Sequence, residues 1–334
     1  MIWIQFVICA ALIIFLGSLL SRYGDVIAEK TGLGGVWIGA ILIAGVTSLP
    51  ELTSGVSAVV WLKQPDLAAG SILGSCLFNL VLIAVMDIVY QPGPILSEVE
   101  DSHLLSAGLG VILFSIVAIA VLFGQTLGVK TILGMSVFSL LILVAYLIGA
   151  RLIARFEQRR YAEVLKKEAV QYNYENISSR KAYGIFILAS LGIIAAGIWL
   201  SFIGDQISTS TGLSRSFVGN LFLAFSTSLP EVAVSVAAVR LGALDIAIGN
   251  VLGSNLFNIL ILTIFDIANG RADFWKGLSN GNGIAAIMTI LMTGIVIVSI
   301  VYRASPKFKR RINWDGWLLI GSYLVTMLIL YLIK

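Results

Sequence analysis

Residues 45–51 read GVTSLPE, and residues 225–231 read FSTSLPE. Each stretch sets two hydroxyls, a proline and a carboxylate inside an apolar run. Pro50 and Pro230 have no N–H for the carbonyls four residues back, at Val46 and Ser226, and each ring pushes that carbonyl aside. In a bilayer such freed oxygens are tolerated only where protein, water or an ion satisfies them. Thr47 and Ser48 lie four and three residues before Glu51, and Thr227 and Ser228 stand in the same relation to Glu231. Each segment therefore turns hydroxyls and a carboxylate to one face. An intramembrane carboxylate costs on the order of 2.5 kcal/mol or more on insertion scales. Two of them about 4 Å apart would repel by about 4 kcal/mol at an effective dielectric of 20. A bound cation or proton would offset that cost.

The rest of the chain is the solvent for these two segments. Of 334 residues, 58% are hydrophobic and 12% charged, and the mean hydropathy is +0.98. Such a composition gives no water-soluble surface. Apolar stretches of roughly 20 residues, the length that crosses the hydrocarbon, predict ten spans near 2–20, 35–61, 67–89, 103–123, 128–150, 183–203, 216–240, 245–267, 282–301 and 314–333. The first reads as a retained helix, since no Lys or Arg precedes Arg22 and no small-residue cleavage site follows. Placing both termini outside leaves only Lys63, Lys130, Arg215, Arg271, Lys276 and Lys334 of the 22 Lys and Arg on the outer side, as the positive-inside rule requires. The net charge of +4 is then a topology signal. Nucleic-acid binding is disfavoured, because the basic clusters flank spans and form no face. Cys9 and Cys76 fall in separate helices and support neither a disulfide framework nor a cysteine metal site. His103, the only histidine, reads as a residue at the mouth of span 4.

Shifted by 180, GDVIAEKTGL at 24–33 falls on GDQISTSTGL at 204–213, Gly39 on Gly219, and one TSLPE on the other. Shifted by 179, Asp66 meets Asp245, GSILGSCLFN at 70–79 meets GNVLGSNLFN at 249–258, and Asp87 meets Asp266. The chain is an internal duplication. Each copy holds five spans, an odd number, so the second enters the membrane from the opposite face. The expected fold is an all-α polytopic membrane protein of ten transmembrane helices in two inverted five-helix repeats, 1–150 and 183–334, joined by a cytoplasmic linker at 151–182. Inverted repeats with polar breaks at matching positions build two-sided access to a central site.

Spans 3 and 8 supply a complementary wall. Ser71, Ser75 and Asn79 recur every four residues, as do Asn250, Ser254 and Asn258. Gly70 with Gly74, and Gly249 with Gly253, form GxxxG pairs that admit a neighbouring backbone. The four segments offer oxygen and almost nothing else. Ca²⁺ accepts six to eight oxygens in irregular geometry, whereas Mg²⁺ demands an octahedron and keeps its water, so the set favours Ca²⁺. Softer metals want His or Cys. Asp66 and Asp245, at the starts of spans 3 and 8, are expected to be N-caps, and Asp87 and Asp266 lie near the span ends.

TSLPE followed by GSxxFN in each of two inverted halves resembles the alpha repeats of the cation/Ca²⁺ exchanger superfamily, and the whole chain resembles its short prokaryotic sodium/calcium exchangers. The resemblance implies alternating-access antiport of Ca²⁺ against Na⁺. Its expected ligands are Thr47, Ser48, Glu51, Ser75 and Asn79 from the first repeat, and Thr227, Ser228, Glu231, Ser254 and Asn258 from the second, with the carbonyls of Ala44 and Ala224. Spans 1 and 6 would move across a rigid core. Asn258 stands where several members, including the K⁺-dependent ones, have Asp, so the site holds at most two negative charges, enough for one Ca²⁺. Val46 and Ser226 replace the commoner Gly before the Thr. The resemblance also implies a prokaryotic plasma membrane. No cofactor, nucleic-acid partner or obligate protein partner is expected, only membrane lipid and the two transported ions. A proton/Ca²⁺ antiporter could use the same glutamates, and a cation channel could use them as a selectivity ring. An enzyme is disfavoured, for there is no HExxH and no activated nucleophile with its base.

Overall fold

The computed structural model of the chain describes residues 2–30, 45, 47–90, 93–127, 131–132, 135–164, 177–240, 242, 244–270, 274–303 and 312–333. The first repeat contains α1 (Ile2–Lys30), α2 (Leu49–Val60), α3 (Pro65–Val89), α4 (His103–Leu127) and α5 (Val137–Val164). The second contains α6 (Ser179–Thr211), α7 (Arg215–Thr227), α8 (Leu229–Arg240), α9 (Leu244–Asn269), α10 (Asn280–Tyr302) and α11 (Trp314–Leu332). Among the described residues eight helices are long and apolar enough to cross a membrane, and α7 with α8 makes a ninth, bent by 46°. Residues 31–44, which include Gly39 and begin the expected span 2, lie outside the described residues.

Within the described residues the structure departs from the expected all-α reading in two small ways. Thr131–Ile132 and Met135–Ser136 form a two-residue antiparallel ladder just before α5. The α5 helix runs on to Val164, so the linker is helical over 151–164, and residues 165–176 lie outside the described residues. Its exposed Arg151 and Arg155 ride on that extension.

The prolines also behave differently from mid-helix kinks. Each opens a new helix: Ser48 (φ −85°, ψ 8°) is the N-cap of α2, with a proline in the first turn. Ser228 (φ −85°, ψ 2°) ends α7 in the same conformation. A proline in the first turn sacrifices no intrahelical bond, so the break is less costly there than a kink. Ahead of the second break the chain loosens further into a π turn at Gly219–Leu223. The Asn220 side chain donates to the Ser216 carbonyl at 2.9 Å, occupying the oxygen an α-helical amide would use.

The core is centred on α3 and α9, which pack on each other and are the two helices richest in buried side chains. Repeats cross over it: α10 and α11 lie against α3, while α4 and α5 lie against α9. Gly70 and Gly74 of α3 meet the backbone of Ser216 and Asn220, where a Cβ would collide. The GxxxG expectation holds there. Helices α1 and α6 pack together at the edge, α1 on α8 and α6 on α2. Their outer faces leave Trp3, Phe15 and Leu188 exposed, as lipid-facing residues should be.

Four carboxylates pin this crossover, and they correct the expected N-caps. Gln64 is the N-cap of α3, with Pro65 following, so Asp66 does not cap its own helix. Instead Asp66 Oδ1 accepts from Ser279 N and from Asn282 Nδ2, both at 2.7 Å, at the start of α10. Asp245 Oδ1 accepts from Glu100 N and pairs with His103 Nε2, both at 3.0 Å, at the start of α4. At the far helix ends, buried Asp87 accepts from Ile95 N at 2.8 Å and also holds Asn313 N, while buried Asp266 accepts from Ser136 N at 2.9 Å and Ser139 Oγ at 2.6 Å. Asp66, Asp245 and Asp266 each reach across to hold the start of a helix in the other repeat. Asp87 does the same for α11, and also holds the start of a one-turn helix in its own repeat (Ile95–Glu98). Orphan amides at helix starts attract carboxylates.

Candidate ion-binding site

The two helix breaks face each other across α3 and α9. Glu51, in the first turn of α2, is fully buried, and so is Glu231 in the first turn of α8. Glu51 Oε1 accepts from Ser75 Oγ at 3.3 Å and from Ser228 Oγ at 3.4 Å, one hydroxyl from each repeat. Ser75 Oγ also lies 3.3 Å from Thr227 Oγ1 and 3.5 Å from the Ala224 carbonyl. Thr227 in turn donates back to Leu223 O at 3.0 Å, the carbonyl four residues earlier. Glu231 feels the Glu51 charge and has the Thr47 hydroxyl beside it, yet neither of its oxygens accepts a hydrogen bond of ordinary geometry.

Unsatisfied oxygens collect around this centre. Glu51 Oε2, both oxygens of Glu231, and the side-chain oxygens of Ser48, Asn79, Ser254 and Asn258 are buried without a partner. A buried polar atom without a partner costs roughly 1–3 kcal/mol, and more when charged. So many in one place is unlike a packed core, and it suits a site completed by a cation. Among the described residues, no three His, Cys, Asp or Glu side chains gather to hold a metal. Any cation here would be held by the two carboxylates with hydroxyl, amide and carbonyl oxygens.

Of the expected ligands, the structure brings Glu51, Ser75, Ala224, Thr227 and Ser228 into direct contact, and sets Thr47 and Glu231 opposite them. Asn79 stands one turn beyond Ser75 on α3, and Ser48, Ser254 and Asn258 are fully buried. Ala44 and Val46 lie outside the described residues. The outer ends of the polar stripes serve packing in part: Asn250 Nδ2 donates to Ser235 Oγ at 3.0 Å. Sequence reasoning missed Asn220 and Asn255. Both are polar where the repeat partner is not an amide, Ala40 and Cys76, and that mismatch was the available signal.

Comparison with known proteins places the chain in one lineage. The sodium/calcium exchanger protein family model matches residues 1–150 and 181–332. The chain belongs to the sodium/calcium exchanger protein family. Members similar over nearly the whole length include the inner membrane protein YrbG of Escherichia coli (strain K12), 27% identical over 325 residues, covering 96% of this chain and 94% of that one. The sodium/calcium exchanger MaX1 of Methanosarcina acetivorans is 30% identical over 122 residues, 36% of this chain and 33% of its own. Among solved structures, native YfkE superposes with a TM-score of 0.65 at 18% identity, covering 98% of this chain and 92% of that one. The sodium-calcium exchanger NCX_Mj does so at 0.60 and 19%, covering 98% and 99%. This exchanger-family chain is thus an integral membrane transporter of the cation/Ca²⁺ exchange type, prokaryotic in kind.

Proposed function

We propose that the protein is a secondary antiporter that exchanges Ca²⁺ for Na⁺ by alternating access to the site between the two helix breaks. The observation that carries this reading is the facing pair Glu51 and Glu231, fully buried, with three of their four oxygens accepting no hydrogen bond of ordinary geometry. Two charges match one Ca²⁺, and Ca²⁺ tolerates the irregular shell of carboxylate, hydroxyl, amide and carbonyl oxygens that surrounds them. Thr47, Ser48, Ser75, Asn79, Ala224, Thr227, Ser228, Ser254 and Asn258 would complete the shell and the flanking Na⁺ positions, with Ala44 added from the first repeat.

Coupling then follows from charge. A dry site with two uncompensated carboxylates is costly to move through the membrane, so the empty carrier reorients poorly, and either one Ca²⁺ or several Na⁺ must ride. The peripheral pair α1 and α6 would move against the pinned core of α3 and α9, with both termini outside and the protein in the plasma membrane. One observation supports a second reading: neither Glu231 oxygen accepts a hydrogen bond of ordinary geometry, an arrangement a protonated acid tolerates better than a carboxylate. Protons could then replace Na⁺ as the counter-ion.

The deciding experiment is ⁴⁵Ca²⁺ uptake into proteoliposomes loaded with Na⁺, with K⁺-loaded and pH-jump controls. Uptake that requires internal Na⁺ is the expected result. Uptake driven by a pH gradient alone would replace Na⁺ with H⁺, and no gradient-driven uptake under any condition would overturn the exchanger reading.

A further inference from the structure

The repeat mismatch at Cys76 and Asn255 gives the two halves of the site different control over their last ligand. Asn255 Nδ2 donates to the Cys76 carbonyl at 3.1 Å, and Cys76 Sγ lies 3.9 Å from the Asn255 carbonyl. The two helices α3 and α9 are thereby buttoned together at their crossing. A backbone carbonyl can only accept, so the Asn255 amide has one permitted orientation: nitrogen toward Cys76, oxygen away. That oxygen accepts from Asn79 Nδ2 at 3.0 Å. Asn79 is therefore turned as well, its nitrogen spent on Asn255 and its Oδ1 left buried and without a partner, one turn from Ser75. The direction of the whole relay is set by one main-chain oxygen.

The second copy has no such relay. Asn258, the counterpart of Asn79, faces the Cys76 thiol, and neither its oxygen nor its nitrogen makes a hydrogen bond of ordinary geometry. A thiol donates and accepts weakly, so it dictates neither orientation.

We infer that Asn255 is a positioning residue: it holds Asn79 with its carboxamide oxygen committed to the ion site, while Asn258 is left free to turn, so that the two repeats present one fixed and one adjustable amide to the transported cation. The inference rests on the exchange function proposed above. A fixed oxygen lowers the ordering cost of binding, and an adjustable one lets a shell fitted to Ca²⁺ be remade for Na⁺.

The test is a double-mutant cycle in proteoliposomes on Asn255→Cys and Asn79→Ala, with Asn255→Ala as a second way to remove the relay. Cysteine already occupies the matching position of α3, which makes that substitution conservative. Each single variant is expected to raise the KM for Ca²⁺ roughly three- to tenfold, the worth of one net hydrogen bond, with Vmax changed less than about twofold. The double variant is expected to be no worse than the poorer single one, because both remove the same oriented ligand. Moving the relay to the other copy, with Cys76→Asn and Asn255→Cys together, should restore much of the lost affinity. The inference is overturned if both Asn255 variants leave KM unchanged, if the effects of Asn255 and Asn79 multiply, or if Vmax falls while KM holds. Wild-type protein that moves no Ca²⁺ in the same preparation would instead sink the exchange reading itself, and the two failures are thus distinguishable.

Discussion

The two TSLPE pentapeptides are identical in sequence and turn the same corner, with Ser48 at φ −85°, ψ 8° and Ser228 at φ −85°, ψ 2°. Their glutamates nevertheless meet different surroundings. Glu51 receives hydroxyls from both repeats on one oxygen, and neither oxygen of Glu231 accepts a hydrogen bond of ordinary geometry. The corner is local and written in the proline. What the carboxylate meets depends on the opposite repeat, and on a carrier whose two halves cannot be in the same state. Perfectly equivalent inverted repeats would open the site equally to both sides or to neither, so a departure from symmetry is what one-sided access consists of.

The sharpest way to break this comparison is to neutralise each glutamate in turn. Glu51→Gln and Glu231→Gln should each reduce Ca²⁺ transport by about a hundredfold or more, since removing one of two charges facing a desolvated divalent ion forfeits several kcal/mol. Equal loss of transport would not test the asymmetry, but stability without ions does. Relieving a carboxylate that has no donor should raise the melting temperature more than relieving one that has two. In ion-free detergent solution Glu231→Gln is expected to stabilise more than Glu51→Gln. The reverse order would mean that the contacts of Glu51 do not distinguish the two sites.

A second comparison, between glycines that touch and glycines that do not, carries the next largest effect. A Cβ on Gly74 would strike the backbone of Asn220, and one on Gly17 of α1 would meet Pro230 Cγ at 2.5 Å, whereas nothing lies within 4 Å of one built on Gly108. Gly74→Ala should cost about 1–3 kcal/mol or more, because main chain cannot step aside as a side chain can. Gly108→Ala should be neutral within about 0.5 kcal/mol. Chemical denaturation of the purified protein compares them. Gly17 and its repeat partner Gly197, which faces Thr53 and Ser54 of α2, join the edge helices to the two half-helices that carry the glutamates. If Gly17→Ala leaves the fold intact and slows transport, α1 moves against α8 at that contact.

Much of this was legible in the chain, for reasons that particular residues make plain. The spans follow from unbroken apolar runs, and the duplication follows from two matching offsets around TSLPE, so the placing of Glu51 beside Ser75 and Ser228 needed only the assumption that the copies face each other. What could not be read was the partner of a carboxylate lying far away in sequence. Asp66 and Asp245 sit where a helix cap belongs, and local reasoning assigned them to their own helices. They bind the starts of α10 and α4 instead, more than 140 residues away, because Pro65 leaves α3 with little need for a cap and the crossing brings other orphan amides within reach. The helix breaks are hidden for a related reason: the sequence gives the proline but not the turn at Ser48 that absorbs it. Asn255 is hidden from any reading of what the repeats share, because its counterpart is Cys76.

The four pinning carboxylates set up the third test. Asp266→Ala removes bonds to Ser136 N and Ser139 Oγ in a buried setting, and a charged hydrogen bond is worth roughly 1.5–3 kcal/mol. A loss of that size is expected, with transport per folded molecule retained. Loss of transport in a protein of undiminished stability would move Asp266 from the frame to the ion path.

The smallest effect separates the two pins that differ only in one side chain. Asp66 is met by Asn282, and Asp245 by His103, which occupies the matching position in the other repeat. Both partners reach their aspartate from the first turn of a helix, and both aspartates also accept a backbone amide, at Ser279 and Glu100. The histidine is therefore replaceable by the asparagine that already does its work elsewhere. Because the Asp245 side chain is 47% exposed, any charge on His103 would be screened. His103→Asn should change stability by no more than about 1 kcal/mol at neutral pH and leave transport intact. A larger loss would show that the ring packs against Gly249, whose added Cβ would lie 3.7 Å from His103 Cε1, as well as binding Asp245. In that case the two pins are alike in their hydrogen bonds and different in their packing, and the pseudo-symmetry of the frame is shallower than that of the site it holds.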